Sequence, residues 1–133
     1  MNNVPNQVLL LYIRTTYISI PIMNKTSTKK LKEKRQQLID KIDAFEGKIL
    51  RGSIIESYKK CGKPGCKCEQ GEGHGPKYSM TVNFPKRRPE NDYIRLEQIT
   101  LVKEYVTNYH QLKDLIEQIC MINRIIIKRR EKL

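Results

Sequence analysis

Between Lys59 and Tyr78 the chain reads KKCGKPGCKCEQGEGHGPKY, which sets three of its four cysteines and one of its two histidines within fourteen residues. The spacing is Cys61-x(4)-Cys66-x-Cys68-x(5)-His74. Three thiolates and an imidazole are the donors that zinc takes in a closed tetrahedral site, at roughly 2.0–2.3 Å from the metal. Folding the four onto one centre needs a chain that doubles back sharply. Gly62-Lys63-Pro64-Gly65 reads as a tight knuckle for that purpose, because Pro presets a turn and Gly accepts positive φ. Lys59, Lys60, Lys63 and Lys67 would offset the charge of three thiolates and favour that state at neutral pH. The expectation is a structural Zn2+ on Cys61, Cys66, Cys68 and His74. No Cys-x(2)-Cys pair is present, so standard zinc-finger spacing does not apply. Two alternatives stay open: a thiol switch in which Cys66 or Cys68 attacks Cys61, and a metal-free Gly-rich loop. A catalytic metal would keep an open position beside a general base; four protein ligands leave none, and Glu69 and Glu72 are expected to solvate the loop.

A chain of 133 residues has room for one domain with a modest core, which a local crosslink would help. Apolar residues are 38% and Trp is absent, so the core must come from Ile, Leu and Tyr. Lys and Arg number 26 against 14 Asp and Glu, a formal net charge of +12. Such a chain attracts polyanions, nucleic acid foremost. The fourth cysteine, Cys120, lies far from the cluster within a helical pattern, which is poor arithmetic for two disulfides and is expected to be a buried inert thiol. Clustered Cys and His in a Lys-rich chain fit a reducing, cytoplasmic setting. Residues 8–22, VLLLYIRTTYISIPI, are too short and interrupted to span a membrane, which takes roughly 20 apolar residues, and lack a basic leader and cleavage site. Met23 begins a stretch that looks like a natural start, so residues 1–22 read as an over-extended start or as an accessory segment.

The rest, 23–133, reads as a single α+β domain. Leu31, Leu38, Ile42, Phe45 and Ile49 recur at helical spacing and predict a helix over 26–48, with Ser27 or Thr28 as N-cap and Gly47 at its end. A zinc-loop β unit follows over 51–96. SIIESYKK (53–60) reads as a strand, KYSMTVNF (77–84) alternates strictly, PKRRPEND (85–92) reads as a basic loop, and YIRL (93–96) as a returning strand. Tyr58, Tyr78 and Tyr93 could stack on bases, but core packing is the expectation for a small sheet without Trp. Leu101, Tyr105, Leu112, Leu115, Ile119, Ile122 and Ile126 keep a heptad-like seam along a helix over 98–132. The expected architecture is an antiparallel hairpin of two long helices, with a three-stranded antiparallel sheet between them in sequence. The second helix outreaches the first by nearly 20 Å at the helical rise, so its overhang is expected to pair with residues 1–22, a second copy of the chain or a different, transposase-like protein.

The run RGSIIESYKKCGKPGCKCEQGEGHGPKYSM resembles a family of small, uncharacterised bacterial and archaeal proteins classed as a domain of unknown function. The matching positions are Arg51 to Ser53, Cys61 to Cys68, His74 to Pro76, Tyr78 and the helix from about Gln98. The resemblance implies an accessory of a mobile element or transposase and brings no mechanism. From the residues themselves, the leading expectation is a zinc-stabilised module that binds nucleic acid, DNA foremost, through Lys59, Lys60, Lys63, Lys67, Lys77, Lys86, Arg87 and Arg88. The zinc loop and the Lys86-Arg87-Arg88 loop are expected to form one electropositive end. The alternative is a coiled-coil adaptor with a purely structural zinc loop. No catalytic residues are expected: the chain shows no Ser-His-Asp set, no phosphate-cradling Gly loop and no paired acidic cluster.

Overall fold

The computed structural model describes residues 23–133. Expectations for residues 1–22 lie outside the described residues. The fold is α+β with a three-stranded antiparallel sheet and a long C-terminal helix. The described residues form two compact units, one of 23–46 with 112–133, the other of 47–111.

In the first unit, helix α1 spans Thr28–Asp43. Ser27 is its N-cap, with extended backbone and a side chain that accepts the Lys30 N–H at 3.5 Å. The helix stops about five residues short of the expected end. Phe45 and Glu46 donate to Ile42 and Asp43, tightening the last turn, and Glu46 and Gly47 take positive φ, 50° and 76°. Gly47 lies three residues past the C-cap, Ala44, rather than at the expected helix end. At 16 residues α1 is not long, and only α2, Ile99–Lys128, is.

The aliphatic core of this unit joins Met23, Leu31 and Leu38 to Ile122, Ile125 and Ile126, with Leu115 and Ile119 half-buried against it. Each fully buried side chain of this kind contributes about 1.5–3 kcal/mol. Polar groups fasten its edges: Arg35 donates to Asn123 Oδ1 at 2.7 Å, and Arg129 to Thr28 Oγ1 at 3.0 Å and the Asn24 carbonyl at 2.7 Å. The predicted seam is buried only here. Leu101 is exposed, and so is Cys120, contrary to the expected buried thiol.

The second unit holds β1 (Ser53–Lys59), β2 (His74–Val82) and β3 (Glu90–Ile94), paired antiparallel in the order β1-β2-β3. β2 starts three residues earlier than the alternation predicted, because Lys59 pairs with His74 across an irregularity in the register. β3 lies earlier than YIRL, because Glu90, Asn91 and Asp92 pair with Val82, Thr81 and Met80 rather than turning. One sheet face carries Ile54, Tyr78, Met80, Val82 and buried Ile94. The first turns of α2 serve this unit. Buried Val106 lies there, Lys103 Nζ stands 5.3 Å from the Tyr78 ring centroid, and the Tyr105 carbonyl accepts the Leu50 N–H at 3.0 Å. Asn108 also donates to the Lys48 carbonyl at 2.8 Å. The first turns of α2, part of the expected overhang, thus make contacts within the sheet unit. Among the described residues, no helix is long and apolar enough to cross a membrane.

Candidate functional site

The chain from Lys60 to Gly73 leaves β1 and returns as β2. Lys63, Pro64, Gly65 and Cys66 form its knuckle: the Cys66 N–H donates to the Lys63 carbonyl at 3.3 Å, and Gly65 has φ 76°. Pro at the second position and positive φ at the third make this a type II turn. A short 3-10 turn, Lys67–Glu69, follows and carries Cys68, the buried member of the cluster. Glu69 does more than solvate the loop. Its carboxylate accepts the Gly65 N–H at 3.2 Å, and its carbonyl accepts from Lys60 Nζ at 3.0 Å. His74 opens β2, so the fourth donor sits on a strand, not in the loop. Gly73 delivers it with φ 107°, at a point where a Cβ would stand 2.6 Å from the Lys59 carbonyl carbon.

These elements bring Cys61, Cys66, Cys68 and His74 together, with one donor atom from each inside a span of 4.8 Å. Cys61 Sγ lies 3.5 Å from Cys68 Sγ, and Cys66 Sγ lies 3.3 Å from His74 Nε2. Donors bound tetrahedrally at zinc distances would stand about 3.5–3.8 Å apart, so the donor set and its spacing fit a metal ion. All four cysteines are free thiols.

The local field prepares this site for a cation. The Lys63 backbone N–H, then His74 and the neighbouring sulfurs, lower the Cys61 thiol to about 6. The Cys68 N–H and side chain, assisted by His74, lower Cys66. Cys68 accepts the Cys61 N–H at 3.4 Å, which favours its thiolate, but burial and the sulfurs of Cys61 and Cys66 outweigh that and leave it raised. The thiols of Cys61 and Cys66 raise His74. The site thus favours the thiolate of Cys61 and Cys66 more than an isolated thiol would, which suits binding of a cation.

The predicted basic residues are all exposed, but they do not form one end. Lys59, Lys60, Lys63 and Lys67 precede β2, whereas Lys86, Arg87 and Arg88 follow it. Nine residues of strand set the two groups about 26 Å apart. Lys77 lies between them on β2. Arg51, Phe84 and Glu90, which sequence reasoning did not place at the site, belong to the Arg87 end. Arg87 lies 3.9 Å from the Phe84 ring centroid and pairs with Glu90, and Arg51 lies 5.2 Å from the same ring. Antiparallel pairing of Ser53 with Thr81 brings Arg51 there, a neighbourhood that spacing alone does not reveal. The expected core tyrosines also divide. Tyr78 is half-buried, while Tyr58 is 42% and Tyr93 70% exposed.

The fold and the cluster define a small α+β protein with a Cys3His centre, at the connection of β1 to β2, able to hold a metal ion. Residues 28–107 match the domain of unknown function DUF6788, and the chain belongs to that family. The match takes in α1, the whole sheet, the Cys/His loop and the first turns of α2. No curated protein and no solved structure matches the chain.

Proposed function

We propose that this protein is a zinc-stabilised nucleic-acid-binding accessory, with DNA the foremost ligand. The metal role is structural: four protein donors close the coordination shell, and the unit they serve has few buried apolar side chains, Ile94 and Val106 beside Cys68. The observation that carries the binding role is the placement of exposed cations at both ends of one sheet, Lys59, Lys60, Lys63 and Lys67 at one and Arg51, Lys86, Arg87 and Arg88 at the other. Such contacts hold phosphates, give affinity that falls with salt, and read little sequence. Within their own unit the helices form an antiparallel pair, a reading favoured by the bonds from Arg129 to Thr28 and from Arg35 to Asn123. A mobile element is the setting that the family resemblance implies.

Anisotropy of a labelled DNA across a salt series tests the reading. Affinity should fall linearly on logarithmic axes, and replacing Lys86, Arg87 and Arg88 by Gln should weaken binding and flatten the slope. Binding indifferent to salt, or to that triple replacement, would contradict it.

A second reading is an adaptor that pairs through α2. Ile116, Cys120 and Ile127 are exposed and fall on one narrow face at helical spacing. Light scattering separates the two: a strict monomer that binds DNA leaves the adaptor unsupported.

A further inference from the structure

The sheet has a second face, which the packing of Ile94 and Tyr78 leaves open. Ile55 on β1, Ser79 on β2 and Tyr93 on β3 are register partners and form one row across it. Ser53, Thr81 and Asn91 form the next row, and a 3.2 Å bond from Thr81 Oγ1 to Asn91 Oδ1 places both side chains on this side. Ser57 and Lys77 make the row on the other flank. Ile55 is 47% and Tyr93 70% exposed, although apolar rows on small sheets ordinarily seek cover.

Charge is sorted between the faces. The carboxylates within the three strands, Glu56, Glu90 and Asp92, all alternate onto the side that carries Tyr78 and Ile94. The open side has Lys77, with Arg95 continuing the alternation just beyond Tyr93, and no strand carboxylate. Lengthwise, this surface runs from the lysines around the Cys/His loop to the Arg51 and Arg87 end. It offers an exposed aromatic ring, an aliphatic neighbour and hydroxyl groups between two cationic ends.

We propose that this face, centred on Tyr93 and Ile55, binds single-stranded nucleic acid, with a base stacked on Tyr93 and the backbone running along β2 between the two basic ends. Unpaired bases expose the ring faces that such a platform needs, whereas duplex bases are already stacked. The proposal rests on the nucleic-acid reading above and specifies the form of the ligand and the surface that takes it.

The test compares the intact protein, Tyr93→Ala, Tyr93→Phe and the Lys86/Arg87/Arg88→Gln triple variant. Each is titrated with a labelled mixed-sequence DNA strand, the same strand as RNA, and the DNA duplex, after circular dichroism has confirmed native folding. The expected result is preference for the single strands. Tyr93→Ala should weaken them on the order of tenfold while sparing the duplex, and Tyr93→Phe should retain affinity. The triple variant should weaken all three probes. Single-strand binding unchanged in Tyr93→Ala, an equal loss on duplex, or a duplex preference would overturn the platform. If the triple variant still weakens binding in that case, the basic-loop reading survives. Failure of every probe to bind removes both.

Discussion

The two units of this chain solve the stability problem of a small protein in different ways. The helical unit closes over a contiguous aliphatic cluster in which Leu31, Ile122 and Ile126 have essentially no exposed surface. The sheet unit buries only Cys68, Ile94 and Val106, and leaves Ile55, Tyr58, Tyr93 and Leu96 in solvent. Where apolar burial is sparse, a Cys/His cluster sits at the point where two strands join. Packing thus accounts for the helical unit, whereas in the sheet unit the proposed metal on these four donors would supply the tie that burial does not.

The comparison can be broken at several strengths. The largest effect is expected from Cys68→Ser or His74→Ala, which should abolish metal retention and melt the β1–β2 pairing while α1 stays helical; metal content by mass spectrometry and circular dichroism report both. Leu31→Ala strikes the other unit, with an expected cost of about 2–5 kcal/mol in denaturant unfolding and no loss of metal. Gly73→Ala comes next, because it forces a side chain into positive φ against the Lys59 backbone. It should cost about 1–3 kcal/mol and weaken metal retention by shifting His74. Ser27→Ala removes only a long N-cap bond of 3.5 Å and should cost about 0.5–1 kcal/mol, measured as a small shift in unfolding midpoint.

The cluster was legible because its donors lie within fourteen residues and the Pro64-Gly65 chemistry of the knuckle is local, although the turn spans Lys63 to Cys66, one residue on from the expected Gly62 to Gly65. What escaped depends on pairing partners distant in sequence. In YIRL, alternation allows either Tyr93 or Ile94 to face inward, and only the pairing of Ile94 with Tyr78 decides it. α1 ends at Asp43 in a tightened turn that runs to Glu46, whose left-handed conformation a non-Gly residue seldom signals in advance. The two basic loops, expected at one end, flank opposite ends of β2, which charge clustering in the sequence does not reveal. The seam of α2 read as continuous because a heptad pattern does not reveal that its first turns serve a sheet and its last turns a helix.

The central claim is that a metal on Cys61, Cys66, Cys68 and His74 holds the sheet unit together while the helical core stands on packing. Amide hydrogen exchange of the zinc-loaded chain, with and without a strong chelator, tests it most directly. Chelation should strip protection from β1 and β2 and leave that of Leu31 to Leu38 and Ile122 to Ile126 largely intact. Protection in β1 and β2 unchanged by complete metal removal would contradict it.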